Sequence, residues 1–251
     1  MSSSIWTRCA GDSRLRALRL APWRVVEAQH QVSTRKLVDS AAEQALLEEL
    51  IDNAKPPDVT ANAVHYLLST PFRYPPLRSG SRFGTRRERG IWYGSEALVT
   101  AFAEVAYYRL VFLEGTKADL EPLTSQLTAF TVAARSTRAV DLVSPPFDRH
   151  RRTIASPTKY AESQALGMAM RSAGVELFRY PSARDTARGV NVAAFTPLVF
   201  GKAKPRQLET WHCIATRQEI ELVKRDYFGR DQHAFSRDAF LAEGALPAPA
   251  L

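Results

Sequence analysis

Gly80-Ser-Arg-Phe-Gly-Thr-Arg-Arg-Glu-Arg-Gly-Ile-Trp-Tyr-Gly-Ser-Glu-Ala-Leu-Val-Thr-Ala-Phe-Ala-Glu-Val-Ala-Tyr-Tyr-Arg109 passes from a loop dense in Gly and Arg, through a short aromatic strand at Ile91, Trp92 and Tyr93, into an amphipathic helix. Ser95 is the expected N-cap, Glu96 falls in the first turn where a carboxylate is favoured, and Gly115 is the expected stop. Leu98, Phe102, Val105 and Leu110 recur at helical spacing and form one buried stripe. Ala97, Ala101, Glu104 and Tyr108 form the neighbouring stripe, which sets a carboxylate among small residues and leaves room for a ligand to approach it.

Working outward, Ser40-Ala-Ala-Glu43 fits a capping box opening a helix through Leu46, Leu47, Leu50 and Ile51, ended by Lys55-Pro56-Pro57. Glu43, Glu48, Glu49 and Asp52 give that helix an acidic face, which reads as solvated surface or as a docking face. Trp23 to Val26 reads as a short strand or a helix start, and Val64 to Leu68 as a strand or a last helical turn before Pro71. On the C-terminal side, Leu123 to Ala134 and Ala139 to Val143 read as strands. Tyr160 to Ala173 reads as a helix stopped by Gly174, with Ala165, Met168 and Ala169 packed. Further strands are expected at Val175 to Tyr180, Val192 to Thr196, Leu208 to Ala215 and Ile220 to Val223. The tail from Gly244 reads as loose.

The chain has 251 residues, 45% of them hydrophobic and 24% charged, as in a soluble globular protein with a proper core. Its formal charge of +8 suits an anionic partner. Two distant cysteines, Cys9 and Cys213, lack metal-ligand spacing and point to a reducing compartment. With no signal-peptide core and no run long enough to span a membrane, the expected location is the cytoplasm. Several chemistries are unsupported. No Gly-x-Gly-x-x-Gly follows a strand, and the Gly80 loop lacks the Gly-Lys-Ser/Thr ending of a phosphate loop. The histidines lack ligand spacing, so no metal is expected. His212 and Cys213 are neighbours on a strand and therefore face opposite ways.

The order Gly80-Ser-Arg82-Phe83-Gly84, Ile91-Trp92-Tyr93-Gly94-Ser95, Ala101-Phe102-Ala103-Glu104-Val105 and Pro181-Ser182-Ala183-Arg184 resembles the RES family of bacterial toxins. Two further pieces agree, Tyr160-Ala-Glu-Ser-Gln164-Ala-Leu as the helix before the Ser segment and Gly189-Val-Asn191-Val-Ala-Ala-Phe195 as the strand after it. The likeness runs roughly from residue 70 to 200. Many relatives have Asn where this chain has Gly84.

The resemblance implies an α+β fold similar to ADP-ribosyltransferases, a mixed core with an NAD cleft between small β-sheets, preceded by an N-terminal helical segment. The implied division is an N-terminal segment over 1–70, a catalytic domain over 71–230 and a tail over 231–251. It implies the toxin of a toxin-antitoxin system that breaks the nicotinamide-ribose bond of NAD. Glu104, Arg82 and Tyr93 form the implied catalytic set, and Arg82, Tyr93, Ser182 and Asn191 the residues touching NAD. A carboxylate near the ribose suits a transition state resembling an oxocarbenium ion, and the planar fork of Arg82 suits the diphosphate. Tyr93 would stack on nicotinamide or orient a ribose hydroxyl, and Ser182 would hydrogen-bond the amide or a phosphate. The acceptor stays open among inorganic phosphate as co-substrate, a protein (ADP-ribosyltransfer) and water (glycohydrolysis). The implied partner is an Xre-like antitoxin covering the site, with nucleic acid reached only through it, and homodimer formation is left open. The competing class is a basic nucleic-acid-binding protein, in which Arg73 to Arg89 with Phe72, Tyr74 and Phe83 would form a single-strand site.

Overall fold

The computed structural model describes residues 4–28, 38–54, 64–74, 76, 79–118, 120, 122–226 and 229–247. The helices are α1 (Ile5–Arg8), α2 (Ala41–Ala54), α3 (Tyr66–Arg73), α4 (Leu98–Gly115), α5 (Arg151–Ile154) and α6 (Ala161–Ser172). The strands are β1 (Arg16–Leu20), β2 (Trp23–Glu27), β3 (Trp92–Ser95), β4 (Leu123–Thr131), β5 (Ala134–Asp141), β6 (Leu177–Pro181), β7 (Val190–Ala194), β8 (Arg206–Ala215), β9 (Glu219–Asp226) and β10 (Gly229–Ser236). The fold is mixed α+β. No helix among the described residues is long and apolar enough to cross a membrane.

In place of two small separate sheets, the strands join into one ten-stranded sheet of order β1-β5-β6-β7-β3-β2-β4-β8-β9-β10. Its pairs are antiparallel except β5 with β6. The expected strand Leu123 to Ala134 is split between β4 and β5. Opposite the break, β1 hands over to β2 through Ala21 and Pro22, and Val132 N donates to the Pro22 carbonyl at 3.2 Å. Proline has no N–H for the ladder, so both chains bend there: Leu20 faces Ala134 on one side and Trp23 faces Thr131 on the other. Residues ahead of α2 thus give the sheet two strands, and Trp23 to Val26 resolves as strand.

Helix α4 packs Phe102, Ala106, Tyr107, Leu110 and Leu113 with Leu127, Trp211 and Leu222. Leu98 and Val105 are only partly buried beside this cluster. The helix does not start at Ser95. Ser95 is buried as the last residue of β3, and the N-cap is Ala97, with no side-chain cap. Glu96 instead receives Arg179 Nε at 2.5 Å and Nη2 at 2.9 Å, an ion pair that outcompetes a first-turn role. In α6 the buried face is Ser163, Leu166, Gly167 and Met170. Met168 points outward, 45% exposed, because it lies about 100° per residue away from that face.

The capping box of α2 forms: Glu43 N donates to Ser40 Oγ at 3.1 Å and Ser40 N to Glu43 Oε2 at 3.3 Å. Leu46 and Leu50 stay exposed on it, and the Lys55-Pro56-Pro57 stop lies outside the described residues. The segment before Pro71 is helical and runs through it to Arg73, held by the buried pair Leu68 and Phe72. The tail from Gly244 is not loose as far as Pro247. Ala242 and Ala245 pair across a turn, Leu246 joins the α4 core, and the Tyr107 hydroxyl donates to the Pro247 carbonyl.

Candidate active site

β2 and β3 share a single pair, Trp23 with Ser95. Past it the two strands diverge, and the wedge between them opens into a cleft of about 520 Å³ walled by consecutive β2 residues, β3, the Glu104 face of α4, and loop residues Arg82 and Arg184. That volume falls within the roughly 300–1,000 Å³ common for small-molecule sites.

The Gly80–Gly84 loop is pinned before it presents Arg82. Gly80 has φ +73, and a Cβ on it would lie 2.3 Å from the Gly84 carbonyl oxygen, so the turn requires glycine. Ser81 N donates to that carbonyl at 2.7 Å, while Gln164 Nε2 of α6 donates to the carbonyls of Ser79 and Ser81 at 3.2 and 3.0 Å. Phe83 is fully buried against Phe178 and Tyr180. Arg82 projects to the cleft side. Its Nη1 donates to the Ile154 and Ser156 carbonyls at 3.3 and 2.8 Å, and its guanidinium sits 4.6 Å from the Tyr160 ring centre. At Gly84 a Cβ would stand 3.0 Å from Ile91 Cδ1 and 3.2 Å from Ser81 Oγ. Any side chain at this position would therefore require Ile91 Cδ1 and Ser81 Oγ to give by a few tenths of an ångström.

Tyr93 belongs to the loop's support. Its hydroxyl shares a hydrogen bond with Ser81 Oγ at 2.9 Å and accepts one from Phe83 N at 3.4 Å. Burial pushes its pKa up to about 12, against the opposing hydrogen bond from Ser81. At neutral pH it is uncharged.

Glu104 is the centre of a chain of hydrogen bonds. Its Oε1 accepts Ser182 Oγ–H at 2.7 Å and Asn191 Nδ2–H at 2.6 Å. Asn191 Oδ1 accepts Ser95 Oγ–H at 2.7 Å, and Ser182 Oγ also accepts the amides of Arg184 and Asp185, each at 3.1 Å. Both lone pairs and the hydrogen of Ser182 are used. Ser182 does not line the cleft, whereas Glu104, Arg82, Tyr93 and Asn191 do. Glu104 Oε2 makes no hydrogen bond among the described residues, which leaves it for a ligand.

Sequence reasoning missed three cleft cations, Arg24, Arg109 and Arg184. Arg184, inside the quoted Ser-Ala-Arg piece, is 4% exposed; it donates to the Pro157 carbonyl at 3.0 Å and the Tyr160 hydroxyl at 3.1 Å, and lies 3.4 Å from the centre of the Tyr107 ring. Arg24 comes from β2, far from the motif in the chain, and only the strand pairing brings it in. Arg109 in the same cleft pairs with Glu27. Tyr108 and Phe112, one helical turn apart and each 52% exposed, give the cleft an apolar wall. No cluster of three or more potential metal ligands occurs among the described residues. Of the aromatics interleaved with the basic stretch, Phe72 and Phe83 are core residues and only Tyr74 is exposed, which removes two of the three stacking groups a single-strand site would use.

No curated protein matches this chain. A family model, the RES domain, matches residues 55–215, a span containing Arg82, Tyr93, Glu104, Ser182 and Asn191. RES domains are associated with toxins of toxin-antitoxin systems and with enzymes acting on NAD. The match covers more than half of the chain, and the chain belongs to the RES domain family.

Proposed function

We propose that this protein is a toxin that cleaves the nicotinamide-ribose bond of NAD, with inorganic phosphate as acceptor. The observation that carries the reading is Glu104: a carboxylate with one oxygen locked by Ser182 and Asn191 and the other without a hydrogen bond among the described residues, in a cleft whose lining also includes Arg82, Arg184 and the Arg109–Glu27 pair. The leaving group needs no strong acid, because the electron pair of the breaking C–N bond neutralises the pyridinium as nicotinamide departs. The demand falls on the positive charge that develops at the ribose, which a fixed carboxylate stabilises without reorganising. A phosphate oxygen then bonds to the anomeric carbon to give ADP-ribose 1''-phosphate, and the phosphate keeps its proton until the ester titrates.

In this reading Glu104 Oε2 faces the ribose, and Arg82 and Arg184 hold the substrate diphosphate, with Tyr93 and Asn191 fixing the loop and the carboxylate. The same carboxylate serves transfer to a protein or to water, which are the second outcomes of the test below. An Xre-like antitoxin covering the cleft is the proposed partner, its acidic face suited to a chain of charge +8.

The test is nicotinamide release from NAD by the purified protein, with and without inorganic phosphate, beside Glu104→Gln. Release that requires phosphate and disappears in the variant supports the reading. Release indifferent to phosphate assigns hydrolysis or protein transfer instead, and no release with NAD under either condition overturns NAD cleavage to a small acceptor.

A further inference from the structure

Arg82 and Arg184 both line the cleft, and both are held by one short stretch of chain between α5 and α6. Arg82 Nη1 donates to the Ile154 and Ser156 carbonyls, and Arg184 Nη2 donates to the Pro157 carbonyl at 3.0 Å and to the Tyr160 hydroxyl at 3.1 Å. Tyr160 engages both arginines, since its ring centre also lies 4.6 Å from the Arg82 guanidinium. All of these partners are uncharged acceptors or a ring face. Neither arginine has an ion pair among the described residues. Nε and Nη2 of Arg82 and Nε and Nη1 of Arg184 make no hydrogen bond among them. Each guanidinium therefore keeps its charge and part of its planar fork for an oxyanion in the cleft.

Tyr160 is itself fixed by the start of α6. Its carbonyl accepts Gln164 N at 2.8 Å and Ser163 Oγ–H at 3.0 Å. Gln164, one helical turn further on, holds the Ser79 and Ser81 carbonyls with its side-chain amide. The first turn of α6 thus fixes both the loop that presents Arg82 and the ring that Arg82 meets. Arg184 is only 4% exposed and also lies 3.4 Å from the centre of the Tyr107 ring. Two free arginines would each lose rotamer freedom on gripping an anion, and holding them in place beforehand moves that loss from binding to folding.

We propose that Tyr160 is a positioning residue: its ring orients Arg82 and its hydroxyl orients Arg184, so that the two forks act together on one diphosphate. That the anion is a diphosphate rests on the NAD-cleaving reading, whereas the dependence of the two arginines on Tyr160 can be measured without it.

The experiment is calorimetric titration of the full chain with ADP-ribose, which carries the diphosphate without nicotinamide. The chains compared are wild type, Tyr160→Phe, Tyr160→Leu, Arg184→Gln, and Tyr160→Phe combined with Arg184→Gln. Tyr160→Phe keeps the ring and removes one hydrogen bond from a charged donor, with an expected loss of affinity of about three- to tenfold. Tyr160→Leu removes the ring as well, and its loss should be larger by about threefold or more. The combined variant decides the role: with Arg184 gone, Tyr160→Phe should add less than about twofold. An equal loss in both backgrounds would make Tyr160 a direct ligand contact and overturn the proposal, as would unchanged affinity in Tyr160→Leu. A readout without ligand is the NMR signal of each arginine Nε–H. Tyr160→Phe should move the Arg184 signal and leave that of Arg82, and Tyr160→Leu should move both; signals unmoved in Tyr160→Leu overturn the proposal. If the wild-type chain binds no ADP-ribose while these signals move as expected, the positioning role stands and the diphosphate assignment falls. Binding of ADP-ribose that depends on Tyr160 without nicotinamide release keeps the proposal and rejects NAD cleavage.

Discussion

Ser182 donates its hydroxyl hydrogen to Oε1 of Glu104 at 2.7 Å, joining a β6-β7 connection to the middle of α4. The same oxygen of Ser182 receives the amides of Arg184 and Asp185, so one side chain fixes both the carboxylate and the turn that carries a cleft arginine.

Ser182→Ala orphans two backbone amides and one arm of Glu104. Unmade buried hydrogen bonds cost about 1–3 kcal/mol, so urea denaturation should show a loss in that range. If Ser182 acts by positioning, kcat for nicotinamide release falls while the NAD KM changes little, and Ser182→Thr restores part of the loss. A rise confined to KM would mean that Ser182 contacts the substrate directly.

Glu104→Gln keeps an oxygen that can accept from Ser182 and Asn191, so the melting temperature should stay near that of the wild type. Removing the charge that faces the ribose should lower kcat by about 10²–10³, the scale for losing one electrostatic stabiliser of a transition state. A variant that retains more than a tenth of the wild-type rate would remove Glu104 from the chemistry.

Gly84→Asn tests the fit of the loop. The new Cβ presses on Ile91 Cδ1 and Ser81 Oγ, and Ser81 is the partner of the Tyr93 hydroxyl. Differential scanning calorimetry should record a melting temperature lower by about 2–4 °C, corresponding to roughly 1 kcal/mol in a chain of this size. An increase would show that the loop relaxes to accept the larger residue.

Tyr93 predicts an alkaline limb in stability. Its folded-state pKa is raised to about 12 by burial. At neutral pH folded and unfolded chains both hold the proton, so the contribution is whole. As pH climbs past the ordinary tyrosine value near 10, the unfolded chain ionises first, and stability falls until about 12, where the folded chain ionises too. Denaturant titrations between these pH values should show the decline, and Tyr93→Phe should flatten it; an equal slope in the variant would place the effect elsewhere.

The local signals were legible where neighbours in the chain decide the structure. The α2 capping box, the Gly115 end of α4, the Gly174 stop of α6 and the opposed faces of His212 and Cys213 all depend on contacts within a few residues. Ser95 shows the limit. Its type suits an N-cap, yet pairing with Trp23 and a hydrogen bond to Asn191 bury it at the end of a strand, a competition between local and distant partners that no window around Ser95 contains. Leu123 to Ala134 reads as one strand because alternation continues through it; the break comes from Pro22, more than a hundred residues earlier in the chain.

By itself the sequence determined that this is an α+β member of the RES domain family, and it singled out Arg82, Tyr93, Glu104, Ser182 and Asn191 through the order of their motifs. Only the tertiary structure decided how they are divided. Glu104, Arg82, Tyr93 and Asn191 line the cleft, and Ser182 stands behind it with its hydrogen-bonding capacity spent. The structure alone also brought in Arg24, because the cleft exists only where β2 and β3 diverge. The physical reason is that motif order encodes residue type and local geometry, whereas the field inside a cleft is the sum of charges set there by strand pairing between distant parts of the chain.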